Sequence, residues 1–239
     1  MEPILYKKKI TTIVKEYYKI HENGNGNGNG DLYKVSPDVY STNGVVSSYP
    51  PGQPPEFDRT TFTDSVISYF ESYGKKLQDV INASTGTEDE LNAAEENAFK
   101  DIWAIGVLLR PFYTAEFSER LTHMLRSILL LELQIVAFSK MGYDTKTWTD
   151  RISNLPVSDM ARMLSTYNEF FNRDNIRSHW TIITDSWLNA VKAKVAKDTV
   201  KFDENIKRAN DHLKAFASYL AQGVIQQHSS RFFEPSLTV

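Results

Sequence analysis

The sequence predicts an all-α protein, an antiparallel helical bundle that follows a long irregular N-terminal arm. From Phe57 onward, apolar residues recur at steps of three and four, which is the period of an α-helix. No run rich in Val, Ile and Thr alternates with polar residues as a strand does. Breaks with Gly, Pro, Ser or Thr separate the periodic segments. We therefore divide the chain into an arm at 1–56, a bundle domain at 57–228 and a tail at 229–239.

Composition is that of an ordinary globular protein and excludes several chemistries. The 239 residues are 41% hydrophobic with a formal net charge of -3, so no nucleic-acid partner is expected. The absence of Cys excludes disulfides, thiolate metal ligands and a Cys nucleophile. The N-terminus has charges within its apolar stretch and no cleavage site, so no signal peptide is expected. We expect the protein inside the cell, in the cytoplasm, or within a virus particle.

The arm begins with a short basic segment and a repeat. Residues 3–20 include Lys7, Lys8 and Lys9 among apolar residues, which indicates a solvated end or a contact with a partner or a lipid surface. Residues 23–30 repeat Asn-Gly, as flexible linkers do, and lack the Lys-Ser/Thr of a phosphate-binding loop.

The rest of the arm, residues 31–57, has no helical or strand period. It carries Tyr33, Tyr40 and Tyr49, and after them Pro50, Pro51, Pro54 and Pro55. This composition favours an extended chain, and Tyr is enriched in protein interfaces. The candidate partner-binding residues are therefore the arm's Tyr33, Tyr40 and Tyr49 together with Lys7, Lys8 and Lys9.

The folded part reads as successive helices. The periodic segments are 58–82, 88–109, 115–140, 144–170 with a break at Pro156, 173–196 and 199–226. Thr87 with Glu90 has the capping-box spacing.

The most apolar of these segments, 117–138, is predicted to be the central helix of the core. Arg126, Glu132 and Gln134 interrupt it, which favours a core helix over a membrane span. Thr114 is placed to cap its start and Gly142 to end it.

Two polar residues lie within that apolar segment. Glu132 and Gln134 point either outward on a polar stripe or into a buried pocket, with Arg126 or His179 as partners. We favour the outward orientation, because charged residues are rarely buried unless paired.

Metal chemistry has one weak candidate in the sequence. No His has an acid three residues before it, so the Glu-x-x-His motif of di-iron bundles is absent. Glu116, Glu119 and His123 share a helix face at i, i+3 and i+7. A lone metal site is one interpretation, but acids favoured at a helix start by its dipole are the simpler one. We expect no cofactor.

Other conspicuous residues have structural interpretations. The lysines of the last two helices alternate with acids, which is typical of a salt-bridged solvated face rather than a phosphate-binding surface. The four tryptophans fall on apolar helix faces and are predicted to lie in the core; they are Trp103, Trp148, Trp180 and Trp187.

The chain also matches itself after a shift of about 54 residues. Asp144-Thr145 falls on Asp198-Thr199, and further matches pair aromatic with aromatic and Ile with Ile. We interpret this as two related helical hairpins at about 113–164 and 167–220.

The segment from Ile105-Gly106 through Phe112-Tyr113 to Ile128, with Asp144…Trp148 and Asn172…Trp180, resembles a family of small all-α bacterial proteins. That family is of uncharacterised function and duplicates a helical hairpin; the resemblance covers about 100–225. In its pattern the bundle carries inward His and Glu. The matching positions here are Ile128, Gln134, Ile183 and Ala190, so the resemblance implies a scaffold that lacks the family's site.

These observations predict a non-catalytic structural or interaction protein whose arm grips neighbouring subunits in a large assembly, such as a virus particle in which it is a minor capsid-type component. The alternative is a helical bundle with a polar pocket that binds a small molecule or a metal, as a binding protein or as an enzyme. A peripheral membrane contact through residues 3–20 is a further hypothesis, and no transmembrane segment is expected.

Overall fold

The computed structural model of the chain describes residues 57–99 and 102–233. Within these ranges eight α-helices form one compact unit, which confirms the predicted all-α bundle. The helices are α1 (Arg59–Ala83), α2 (Glu88–Ala98), α3 (Ile102–Leu109), α4 (Ala115–Lys140), α5 (Lys146–Asn154), α6 (Pro156–Tyr167), α7 (Arg173–Val195) and α8 (Thr199–Gln227).

Side-chain caps fix where several helices begin. The Thr61 N–H donates to the Asp58 carboxylate at 2.6 Å and starts α1. At α2, the Thr87 N–H donates to Glu90 Oε2 at 2.8 Å and the Glu90 N–H donates to Thr87 Oγ1 at 3.3 Å, which confirms the capping box. Each such cap stabilises a helix by about 1 kcal/mol.

The central helix begins and ends where the sequence indicates. The Phe117 N–H donates to Thr114 Oγ1 at 3.1 Å. After Lys140 and Met141, Gly142 takes a φ of 74°, a left-handed conformation that glycine adopts without strain.

The segment predicted as one helix over 88–109 is two helices in the described residues. The Phe99 N–H donates to Asn97 O rather than to the carbonyl four residues earlier, so the α-helical hydrogen bonding of α2 stops there. The predicted break at Pro156 is confirmed: α5 ends at Asn154 and α6 begins at Pro156, the position where a helix tolerates proline.

Helix α4 lies at the centre of the bundle. Five helices pack against it, namely α1, α3, α5, α6 and α7. Helices α7 and α8 make the most extensive pair, joined by a three-residue connection in which Lys197 has a φ of 57°, and α8 also packs on α1. The apolar residues that repeat along these helices fill the space between them.

The two ends of the described chain meet. Phe57–Asp58 (β1) and Phe232–Phe233 (β2) form a short parallel pair, with Phe57 opposite Phe232. The Phe232 ring stacks on Phe112 at 5.1 Å and is buried, as is Phe62 beside it. The segment predicted as a tail from residue 229 thus lies against the bundle as far as residue 233, because an aromatic cluster receives Phe232.

A tight contact between α8 and the loop before α7 gives a first testable prediction. A Cβ built on Gly223 would overlap the ring of Phe171, which is buried. Helix propensity alone favours Gly223→Ala by about 1 kcal/mol, but overpacking costs about 1–3 kcal/mol. We expect a net loss of stability in urea denaturation. The exposed neighbour Gln222→Ala is the control, and a more stable Gly223→Ala protein would contradict the rigid contact.

Candidate functional site

The most unusual polar contact in the bundle joins α1 to α4. The Tyr73 hydroxyl donates to Glu132 Oε2 at 2.6 Å, and both side chains are buried, at 2% and 3% exposure. Burial raises the pKa of Glu132 to about 8, although the bond from Tyr73 opposes this shift. Burial, and then the charge of Glu132, raise the pKa of Tyr73 as well. Near pH 7 the Glu132 side chain is therefore mostly a neutral carboxylic acid.

The expected outward orientation of Glu132 and Gln134 is wrong, since both are buried. The physical reason is that residues 132–137 of α4 are buried on every face, so the exposed stripe through Glu119, His123 and Arg126 does not extend to them. The partners suggested for a buried orientation are also different. Arg126 is exposed and lies over the Phe99 ring at 5.9 Å, while His179 faces His212, with ring centroids 5.7 Å apart.

A small cavity of about 10 Å³ lies beside Glu132, between α1, α4 and α7. Three of the residues that line it each carry a buried polar atom without a hydrogen-bond partner: Glu132 Oε1, Thr184 Oγ1 and Trp187 Nε1. The rest of the wall is apolar; it consists of Leu77, Ile81, Ile135, Val136, Leu188 and Val191. A cavity of this size has room for about one water molecule.

The positions that the family resemblance aligns with inward ligands all face the interior. Ile128, Ile183 and Ala190 are fully buried, and Gln134 is 4% exposed. Of these four side chains only Gln134 carries polar atoms, and its Oε1 has no hydrogen-bond partner. These four positions therefore place three apolar side chains and one amide in the interior of the bundle.

The weak metal candidates lie on the outside of α4. Glu116, Glu119 and His123 are all exposed. Among residues 57–99 and 102–233, no group of three or more His, Asp or Glu side chains is arranged to hold a metal ion. The structure thus does not assemble these three residues into a site.

The candidate partner-binding residues of the arm lie outside the described residues. They are Lys7, Lys8, Lys9, Tyr33, Tyr40 and Tyr49.

The lysines of α7 and α8 are largely paired, as a salt-bridged face requires. Lys207 lies 2.6 Å from Asp211 and Lys214 lies 3.2 Å from Glu71. Lys194 donates to Asn82 at 2.9 Å and lies over the Phe202 ring.

An exposed aromatic cluster at the α4–α5 corner was not predicted from the sequence. Phe138 stacks on Trp148 at 5.2 Å, Tyr143 meets Phe138 at 6.0 Å, and the Arg151 guanidinium lies 4.8 Å above Trp148. Leu155, one turn beyond Arg151, is 54% exposed. We call these five residues the aromatic surface. The sequence feature that could have indicated this cluster is the spacing of aromatic residues at 138, 143 and 148. The same spacing is compatible with a buried position, so it does not distinguish a surface cluster from a core.

The tryptophans divide between core and surface. Trp180 and Trp187 are buried, as predicted, whereas Trp148 is half-buried in the aromatic surface and Trp103 is 39% exposed. Their common apolar setting in the sequence therefore has two different structural outcomes.

Helix α4 also has the length and composition of a membrane span. Its most apolar 18-residue window has a mean hydropathy of 1.5, and 67% of that window is buried inside the protein. Core helices of soluble proteins meet the same criterion.

Comparisons with known proteins identify no relative. No protein-family model, no curated protein and no solved structure matches the chain.

Proposed function

We propose that this protein is a non-catalytic structural or interaction protein, in which the helical bundle is a scaffold and the arm at residues 1–56 grips neighbouring subunits of a large assembly such as a virus particle. The observation that carries the proposal is the small size of the cavity beside Glu132. The most distinctive polar group of the core borders a space for about one water molecule, which is far below the several hundred Å³ of ordinary ligand pockets.

The surface of the bundle is consistent with a role in association. The aromatic surface combines Trp, Tyr and Arg, the residue types that contribute most to binding energy in protein interfaces. A scaffold that presents such a cluster to solvent has a means of contacting another protein. The apolar helix α4 belongs, in this proposal, to the core and not to a membrane.

The arm supplies the second means of association. Its Tyr and Pro residues suit an extended chain that lies along another protein. We propose further that the bundle arose by duplication of a helical hairpin, with α4 to α6 related to α7 and α8.

Cross-linking of the full chain in its native source tests the proposal. Lys7, Lys8 and Lys9 provide primary amines for an amine-reactive cross-linker, and mass spectrometry identifies the residues they reach. We expect most cross-links from the arm to join other polypeptides. Copies labelled with ¹⁵N and mixed with unlabelled copies separate links between identical chains from links within one chain.

Lysines on the bundle provide the internal control for this experiment. Lys75 and Lys207, which are exposed on α1 and α8, report how often any surface lysine is captured by chance. Arm lysines that link only to their own chain, or no more often than these two to other chains, would contradict the proposed gripping role.

A further inference from the structure

The aromatic surface is the strongest unassigned feature of the bundle. The rings of Phe138, Tyr143 and Trp148 and the Arg151 guanidinium are in contact, and the surface is open to solvent: Tyr143 is 60% exposed and Leu155 is 54% exposed. The stacked rings of Phe138 and Trp148 are held by Arg151 from one side, so the cluster is a formed surface. Surfaces lined by aromatic side chains bind proline-rich segments. Such a segment is already extended before it binds and therefore loses little conformational entropy.

The chain itself contains such a segment immediately before the bundle. Residues 49–56 read Tyr-Pro-Pro-Gly-Gln-Pro-Pro-Glu, with two proline pairs separated by two residues. Glu56 at its end carries a charge opposite to that of Arg151. Composition and charge of the segment therefore both complement the aromatic surface.

Chain length decides which copy the segment comes from. Phe57 is anchored against Phe112, with ring centroids 4.7 Å apart, just before the start of α4. Phe138 lies 21 residues along α4 from Phe117, a distance of roughly 30 Å at 1.5 Å per residue. Pro55 is two residues from Phe57, and an extended chain of that length spans only about 7 Å. Pro54 and Pro55 therefore fall well short of the aromatic surface of their own chain.

We propose that the aromatic surface is a docking site for the proline-rich segment, residues 49–56, of a second copy of this chain. This inference rests on the proposed function, because it names the surface that the arm grips. Arm and site are different surfaces, so each copy offers one of each. Two copies that exchange arms form a closed dimer, and contacts that continue to a third copy form larger rings or open chains.

Two variants of the full-length protein separate the arm from the site. The site variant carries Tyr143→Ala and Trp148→Ala, and the arm variant replaces Pro50, Pro51, Pro54 and Pro55 with Ser. Sedimentation velocity measures self-association. We expect the wild-type protein to form dimers or larger complexes, and each variant alone to associate at least tenfold more weakly, as the loss of interface anchors does.

Mixing the two variants provides the decisive measurement. The site variant retains a normal arm and the arm variant retains a normal site, so a 1:1 mixture forms one kind of contact. We expect heterodimers and nothing larger. A mixture that stays monomeric, variants that each still assemble like the wild type, or a wild-type protein that is monomeric at about 100 μM would each overturn the docking site.

Two further variants test whether a loss of association comes from the aromatic surface itself. Tyr143→Lys changes one exposed side chain and leaves the stacked pair in place, so it is expected to prevent association without unfolding the protein, which circular dichroism verifies. Val200→Ala, an exposed apolar residue on α8, is expected to associate normally. If the docking site fails while arm lysines still cross-link to other proteins, the proposed function stands and only its partner surface is different.

Discussion

Trp180→Ala is expected to lower the free energy of unfolding by about 3–5 kcal/mol, the usual loss when a fully buried tryptophan is truncated. Trp180 is completely buried on α7, with its ring 5.6 Å from Phe216 and 6.4 Å from Tyr73. The substitution therefore removes contacts to both α8 and α1 and leaves a large cavity. Its indole N–H has no acceptor in the described residues, so little hydrogen bonding is lost with it.

The matched control for this change is the same substitution at Trp103. That side chain is 39% exposed on α3, so less apolar area returns to water when it is removed. We expect Trp103→Ala to lower the unfolding free energy clearly less than Trp180→Ala does, because more than a third of the Trp103 side chain is already in contact with water. Urea denaturation of the two variants measures the difference. Equal losses would show that the packing around Trp180 is not as described.

The second large effect concerns pH and Glu132. The pKa of this carboxyl is about 8 in the folded protein and near its ordinary value of 4.5 when the chain is unfolded. Between these values the folded state holds a proton that the unfolded state releases. Stability therefore falls by about 1.4 kcal/mol for each pH unit from 4.5 towards 8, and the loss is complete above pH 8.

Glu132→Gln isolates this contribution from those of other carboxyl groups. The amide keeps the shape of the protonated acid and an oxygen that accepts from Tyr73, but it does not ionise. We expect the variant to equal the wild-type protein in stability at pH 4.5 and to exceed it by a few kcal/mol at pH 8.

A control and a contradicting outcome complete the test of Glu132. Tyr73→Phe removes the donor at 2.6 Å and is expected to destabilise the wild-type protein by about 1–3 kcal/mol. If the stabilities of Glu132→Gln and the wild type follow parallel pH profiles, Glu132 titrates as an ordinary carboxyl.

Helical period was sufficient to predict the core of the bundle but not the orientation of its polar residues. Phe117, Leu121 and Ile128 are buried because the pattern of apolar steps matches the faces of α4. The orientation of Glu132 depends instead on Tyr73, which lies 59 positions earlier on another helix. No local pattern encodes which distant side chain will meet a buried acid.

Aromatic residues posed the same difficulty at the surface and at the end of the chain. Phe232 and Trp148 both stand among mostly polar neighbours in the sequence, yet Phe232 is buried and Trp148 is partly open to solvent. The burial of these two side chains differs because of the number of other aromatic rings around each of them in the folded structure. Phe57, Phe62 and Phe112 surround Phe232, whereas Trp148 lies at the bundle surface between Phe138 and Arg151.

The meeting of the two chain ends gives the arm a mechanical anchor. Phe57, the first residue after the arm, touches Phe112 and Phe232, and the Arg231 guanidinium lies over the rings of both Phe57 and Phe112. Tension applied to the arm therefore acts first on these ring contacts and on the short parallel strand pair, and only afterwards on the hydrogen bonds of α1. Contacts from Arg231 and Phe232, near the end of the described chain, thus hold Phe57 in place when tension acts on the arm.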